Sequence, residues 1–268
     1  MRHKITLLIL LVFPLAGFSQ LNDTSINMFQ ANVNYSMHLP GGDLAETFGM
    51  SHTVGLSVDF KHKSNWNFGL EYAYLFGGMI KDSTILDHLK NSDGDIINEY
   101  GERGTILITE RGFYAGAHVG RLIPVLGPNP NSGIKVQVGA GLLEHHIHIE
   151  NRNNNVPAVL GDYKKGYDHR TNGFTLKEFI GYQFLDPNGY FNFYAGFEFY
   201  QAWTYNRREM NFDTGMKDTE LKKDYLSGFR VGWILPLYQK DPEDFYYYQW
   251  HGPTDLQHKH ICLQSAYQ

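Results

Sequence analysis

Phe29-Gln30-Ala31-Asn32-Val33-Asn34-Tyr35-Ser36-Met37-His38 alternates apolar and polar side chains without a break. Period two is the repeat of a β-strand, so each set of side chains occupies one face. The same alternation returns in Trp66, Phe68, Leu70, Tyr72, Tyr74 and Phe76, interleaved with Asn67, Gly69, Glu71 and Ala73. Runs of ~10 residues, rich in aromatics on the apolar face, match what a strand needs to cross a bilayer. No segment after the N-terminus is apolar enough to cross as a helix.

Eight such segments are expected. They are Asn27 to His38, Thr53 to Lys61, Trp66 to Phe76, Ile106 to Ile123, Ile134 to Glu150, Phe174 to Phe184, Tyr190 to Tyr205 and Asp224 to Tyr238. In the fifth, the apolar face runs through even positions to Leu142, yet Ile147 and Ile149 are odd, which predicts a bulge near Leu142–Leu143. Connections after the second, fourth and sixth segments are short; those after the first, third, fifth and seventh are longer. Short turns at one end and long loops at the other characterise bacterial outer-membrane barrels. A soluble sandwich or a lipocalin-like barrel, the competing architectures, has no need of that rhythm. The predicted fold is an all-β, eight-stranded antiparallel transmembrane barrel, an up-and-down meander with both termini periplasmic.

Bulk properties agree. Aromatic residues make up 15% of the 268 residues although mean hydropathy is negative. A barrel shows both because only alternate residues face lipid. Residues 1–19 form a signal peptide, with Arg2, His3 and Lys4 ahead of the apolar run Ile5 to Ala16 and small residues Gly17 and Ser19 before Gln20. Arg2 and Lys4 leave with it, so the formal charge of −5 becomes −7. Basic residues are neither abundant nor clustered, which argues against a nucleic-acid partner. Cys262 is the only cysteine, so no internal disulfide forms. The barrel is expected over 20–238, with a periplasmic tail over 239–268.

An eight-stranded barrel is just wide enough for side chains to fill. The inward face includes many glycines together with Glu71, Glu198 and Arg230, which cannot stay unpaired in a narrow interior and are expected to form a charge network. A filled interior makes a small channel a secondary reading.

The last segment, Gly228-Phe229-Arg230-Val231-Gly232-Trp233-Ile234-Leu235-Pro236-Leu237-Tyr238, resembles the assembly signal that ends outer-membrane barrels. With the leader ending at Ser19 before Gln20, the chain resembles the small outer-membrane-protein β-barrel families of Bacteroidota, of OmpA/OmpX-like architecture. The resemblance implies contact with outer-membrane lipid, including lipopolysaccharide. It also implies a non-enzymatic, accessory role among protein partners in an assembly or secretion machine. The thirty residues after Tyr238 depart from that pattern.

Chemistry-bearing clusters are few. On a strand, His146, His148 and Glu150 share a face at ~7 Å spacing, a donor set that suits zinc, or equally a polar strand end above the membrane. Ser36, His38, Glu46 and His52 supply the residue types of a lipid-modifying hydrolase or acyltransferase, but no G-x-S-x-G turn or triad spacing is present. Asn91-Ser92-Asp93-Gly94-Asp95 resembles a calcium loop only loosely. Nothing in the sequence calls for a cofactor. Partner contacts are expected at Tyr163, Lys164, Lys165, Tyr167 and Arg170 in the loop Asn151 to Gly173, and at Phe245, Tyr246, Tyr247, Tyr248 and Trp250 in the tail.

Overall fold

A computed structural model describes residues 25–237 except 83, 153–154 and 187–190. The leader and the aromatic tail, including Phe245 to Trp250 and Cys262, lie outside the described residues. Eight strands follow in chain order: β1 (Met28–Gly42), β2 (Ser51–Lys61), β3 (Trp66–Gly77), β4 (Ile106–Ile123), β5 (Gly133–Asn151), β6 (Thr171–Leu185), β7 (Asn192–Asn206) and β8 (Lys222–Leu237). Each pairs antiparallel with its neighbour, and β1 closes on β8 from Phe29 opposite Leu237 to Gly42 opposite Asp224. The result is a closed up-and-down barrel. Closure satisfies every strand edge, as a chain surrounded by hydrocarbon requires.

The alternation places Val33, Tyr35, Leu56, Leu70, Phe197 and Trp233 among many apolar side chains exposed on the outer wall. Gln30, Asn32, Asn34, Ser36, Asp59 and Lys61 are buried within. Polar inside and apolar outside inverts the order of a water-soluble protein and fits lipid around the wall.

Two expectations need correction. Strand β5 pairs in unbroken register with β4, from Ile106 opposite Asn151 to Ile123 opposite Ile134, and with β6, so no bulge interrupts it at Leu142–Leu143. Its change of parity arises because the strand outlasts the apolar wall. Beyond Leu142 its outward residues are Glu144, His146, His148 and Glu150, while Leu143, Ile147 and Ile149 turn inward into an apolar core. The connection after β1 is also short. β1 continues through Pro40 to Gly42, leaving residues 43–50, which contain the four-residue helix α1 (Leu44–Thr47). Gly42 has φ +63°, and a Cβ there would stand 2.1 Å from the Lys223 carbonyl oxygen, so glycine is required at this corner.

At the long-loop end, β4 and β5 pair beyond the ends of β3 and β6, from Thr109 opposite His148 to Ile106 opposite Asn151. Ile106, Ile108, Ile147 and Ile149 on the inner face of this extension pack with Ile85, Leu86, Val156, Val159 and Tyr167 from the loops. At the opposite end the turn 124–132 is tied to the wall. Asn129 Nδ2 donates to the Leu185 carbonyl at 2.7 Å, and Lys61 Nζ donates to Asn131 Oδ1 at 2.9 Å.

Candidate functional site

The lumen is organised around two cations and two carboxylates. Arg230 Nη1 lies 2.9 Å from Glu71 Oε1 and 3.2 Å from Glu198 Oε2. Lys177 Nζ lies 2.8 Å from Glu71 Oε1 and 3.0 Å from Glu198 Oε2. Four strands contribute one group each, and all four side chains are nearly fully buried. Two positive and two negative charges cancel, the condition under which charges persist inside a wall. Aromatic rings complete the cross-section. Lys177 Nζ stands 4.7 Å from the Tyr200 ring centroid, and the Arg230 guanidinium stands 5.3 Å from that of Tyr194, whose hydroxyl accepts from Arg230 Nε at 3.1 Å. The inward glycines make room for these rings. A Cβ on Gly116 or Gly232 would come within 2.4 Å of Tyr114 or Tyr194.

A second cluster lies nearer the short-turn end. Asp59 accepts from Lys135 at 3.4 Å and faces His118 Nε2 at 3.0 Å. Between the clusters, a cavity beside Glu71, His118 and Lys177 measures about 10 Å³, room for one water at most. Toward the loop end, Asp224 accepts from His145 at 2.9 Å and from Thr204 at 2.5 Å, and Ser51 donates to Glu110 at 2.5 Å.

Above these pairs the loops form a cap. Tyr167 is only 6% exposed; its hydroxyl meets His88 Nε2 at 2.9 Å and its ring stacks on His88 and packs edge-on against Phe212. Backbone bonds join the loops to one another and to the wall: Phe212 N–H to Gly166, Glu99 N–H to Asn155 and Ile147 N–H to Asp168. Arg208 grips Asp168 through two guanidinium nitrogens, and these hydrogen bonds hold its pKa above the ordinary arginine value. Burial, with Asp213 nearby, raises the Tyr167 phenol.

The partner candidates of this loop divide. Tyr167 belongs to the cap core and Arg170 pairs with Glu144 at 2.8 Å, whereas Tyr163, Lys164 and Lys165 are exposed, with Lys165 2.6 Å from Asp162. Tyr163 borders an open groove of about 570 Å³ with Pro157, Leu160 and Phe212.

The other candidates are not brought into working arrangements. His146, His148 and Glu150 share the outer face of the β5 extension, and no group of three His, Cys, Asp or Glu among the described residues is arranged to hold a metal. Ser36 and His38 are buried in the lumen, His52 sits on the outer wall against the Tyr35 hydroxyl at 2.8 Å, and Glu46 is exposed on α1. They form no triad. Asn91 Oδ1 accepts from the backbone of Asp93 and Asp95, a local turn, and Asp95 pairs with Arg103 at 2.6 Å.

Sequence reasoning missed Lys177, Lys135 and Asp59 in the lumen. Strand parity pointed to each, since Asp59 shares the inward phase of Ser57 and Lys61 in β2, Lys135 that of Gln137 in β5, and Lys177 that of Thr175 and Gln183 in β6. It also missed Glu178, which carries the outward phase.

No family model matches the chain, and no curated protein matches it. Solved structures similar to it include Ail, the attachment invasion locus protein of Yersinia pestis, in complex with the heparin analogue sucrose octasulfate. That match has 12% identity and a TM-score of 0.39 over 78% of this chain and 99% of Ail. Another is the N-terminal β-barrel domain of Pseudomonas aeruginosa OprF, with 12% identity and a TM-score of 0.36 over 78% of this chain and 98% of that one.

Proposed function

We propose that this chain is an integral outer-membrane barrel, non-enzymatic, that binds a partner protein through the cap built by its long loops. The observation that carries the reading is the cap itself, whose apolar side chains continue the core of the upper lumen, from Leu75, Tyr114 and Tyr200, out over the barrel mouth. Loops held this way present a pre-organised surface, which lowers the entropic cost of binding. The exposed face suits protein contact: Tyr163 is 66% exposed and Phe212 41%, with Met210 and Met216 exposed close by in sequence. The packed lumen, with its central charges paired, favours a structural barrel over a channel, and the separation of Ser36, His38 and His52 disfavours a lipid-modifying enzyme. An accessory place in an assembly or secretion machine, and membership of the small Bacteroidota barrels, extend the same reading. The leader and final strand support both.

The test is affinity capture of the full chain from detergent-solubilised native membranes, followed by mass spectrometry, beside a Tyr163→Ala/Phe212→Ala variant. The expected result is a co-purifying protein whose yield falls at least tenfold with the variant. Recovery of the chain alone, or a yield indifferent to the substitutions, would overturn the reading.

A further inference from the structure

One charged side chain faces the wrong way. In β6, Thr175, Lys177 and Phe179 are buried toward the lumen, so Glu178 projects from the outer wall between Leu176 and Ile180, both exposed. Its cross-strand neighbours are Val138 on β5 and Phe199 on β7. Aromatic pairs border this wall at both ends, Phe174 stacked on Trp203 at 6.2 Å and Phe184 against Phe193 at 5.4 Å. Glu178 lies between them, ~13 Å of strand from Phe174. That is the middle of an apolar band expected to be ~25 Å tall.

The other charges on the outer wall among the described residues keep to its margins. Arg121 sits opposite Trp66, Arg111 opposite Phe76, and Lys223 opposite Trp203, while Glu144 lies beyond Leu142. Among the described residues Glu178 has one side-chain hydrogen bond, from Gln201 Nε2 at 3.2 Å. One amide donor satisfies a fraction of a carboxylate's acceptor capacity, and in hydrocarbon no water supplies the rest. A leucine would fit the site at lower cost, so a carboxylate here points to a cationic partner within the bilayer.

The wall is shaped for such a partner. Beside Glu178 a groove of about 400 Å³ is bordered by Val136, Val138, Ile180, Phe197 and Phe199. Apolar sides with a carboxylate at one edge match a lysine or arginine, whose stem packs on apolar surface while its head pairs with the acid. A second copy of this chain offers no cation at that depth among its described residues; two copies would set acid against acid. We propose that the β5–β6–β7 wall is an interface within the membrane for a different membrane-spanning protein, whose Lys or Arg enters this groove and pairs with Glu178. The proposal rests on the membrane-spanning reading, but not on binding at the cap.

The test places a photo-crosslinking residue at Phe197, which is 67% exposed on the groove, and a control at Leu56 on β2, in the full chain made in its own cells. The expected result is a discrete protein adduct from position 197 and none from position 56, with a yield at least tenfold lower in Glu178→Gln. Glu178→Lys abolishes the adduct, and Lys or Arg→Glu in the crosslinked segment of the partner restores it. Membrane fractionation and heat-modifiable electrophoretic migration of each chain accompany the crosslinking. A wild-type chain recovered as a soluble protein would overturn the spanning reading and the interface with it. A properly inserted chain that yields only lipid adducts, only self-adducts, or an adduct indifferent to Glu178 overturns the interface alone.

Discussion

Along β5, Val136, Val138, Ala140 and Leu142 point out of the barrel, whereas Leu143, Ile147 and Ile149, a few residues later, point into it. The backbone register does not change between the two halves; the surroundings do. The lower half is polar within and apolar without. The upper half, with the loops over it, follows the rule of water-soluble proteins. One strand thus serves two surroundings, a lumen of paired charges and the apolar side chains under the loops. The difference separates what holds the barrel together from what it shows to partners.

The contrast predicts two kinds of failure. Among the described residues, Arg230→Ala leaves Lys177 as the only lysine or arginine within ion-pair distance of Glu71 and Glu198, and should cost about 3–5 kcal/mol, the usual penalty for stranding a buried charge. Urea unfolding of the barrel in lipid vesicles measures it. A loss under 1 kcal/mol would mean that the network is solvated and contributes little. Ile147→Ala removes a buried side chain from the cap and should cost about 2–4 kcal/mol, felt locally. Protease should then cut the loop over 152–170 faster while heat-modifiable migration of the barrel persists. Simultaneous loss of both would show that cap and lumen are one cooperative unit.

The smallest effect has the opposite sign. Glu178→Leu replaces a lipid-facing acid with an apolar side chain and should stabilise the isolated barrel by about 1–2 kcal/mol in vesicles. Destabilisation would show that the Gln201 contact suffices to hold the acid in the wall, and would remove the need for a partner there.

The strands were legible because hydrophobic alternation is a local signal, readable residue by residue in β1 and β3. The end of the apolar band was less so. Nothing local distinguishes Leu142 facing lipid from Leu143 facing a cap, and a bulge accounts equally well for the change of parity when β5 is read alone. The lumen charges were half visible. Glu71, Glu198 and Arg230 stood out in strands with clean alternation, but Lys177 and Glu178 are adjacent in β6, where the inward Phe179 and the outward Glu178 each break the alternation of polarity. Within the partner loop, composition could not separate Tyr163 at the surface from Tyr167, which is stacked on His88.

Period two in the sequence by itself determined strand number, the antiparallel order and the inversion of polarity, because each follows from neighbours along one chain. Which charges meet, where lipid gives way to the cap, and that one carboxylate stands in the middle of the outer wall were decided by the tertiary structure. Those outcomes depend on the shear of eight strands around a closed ring, which brings together residues as far apart as Glu71 and Arg230 and has no signature in any single segment.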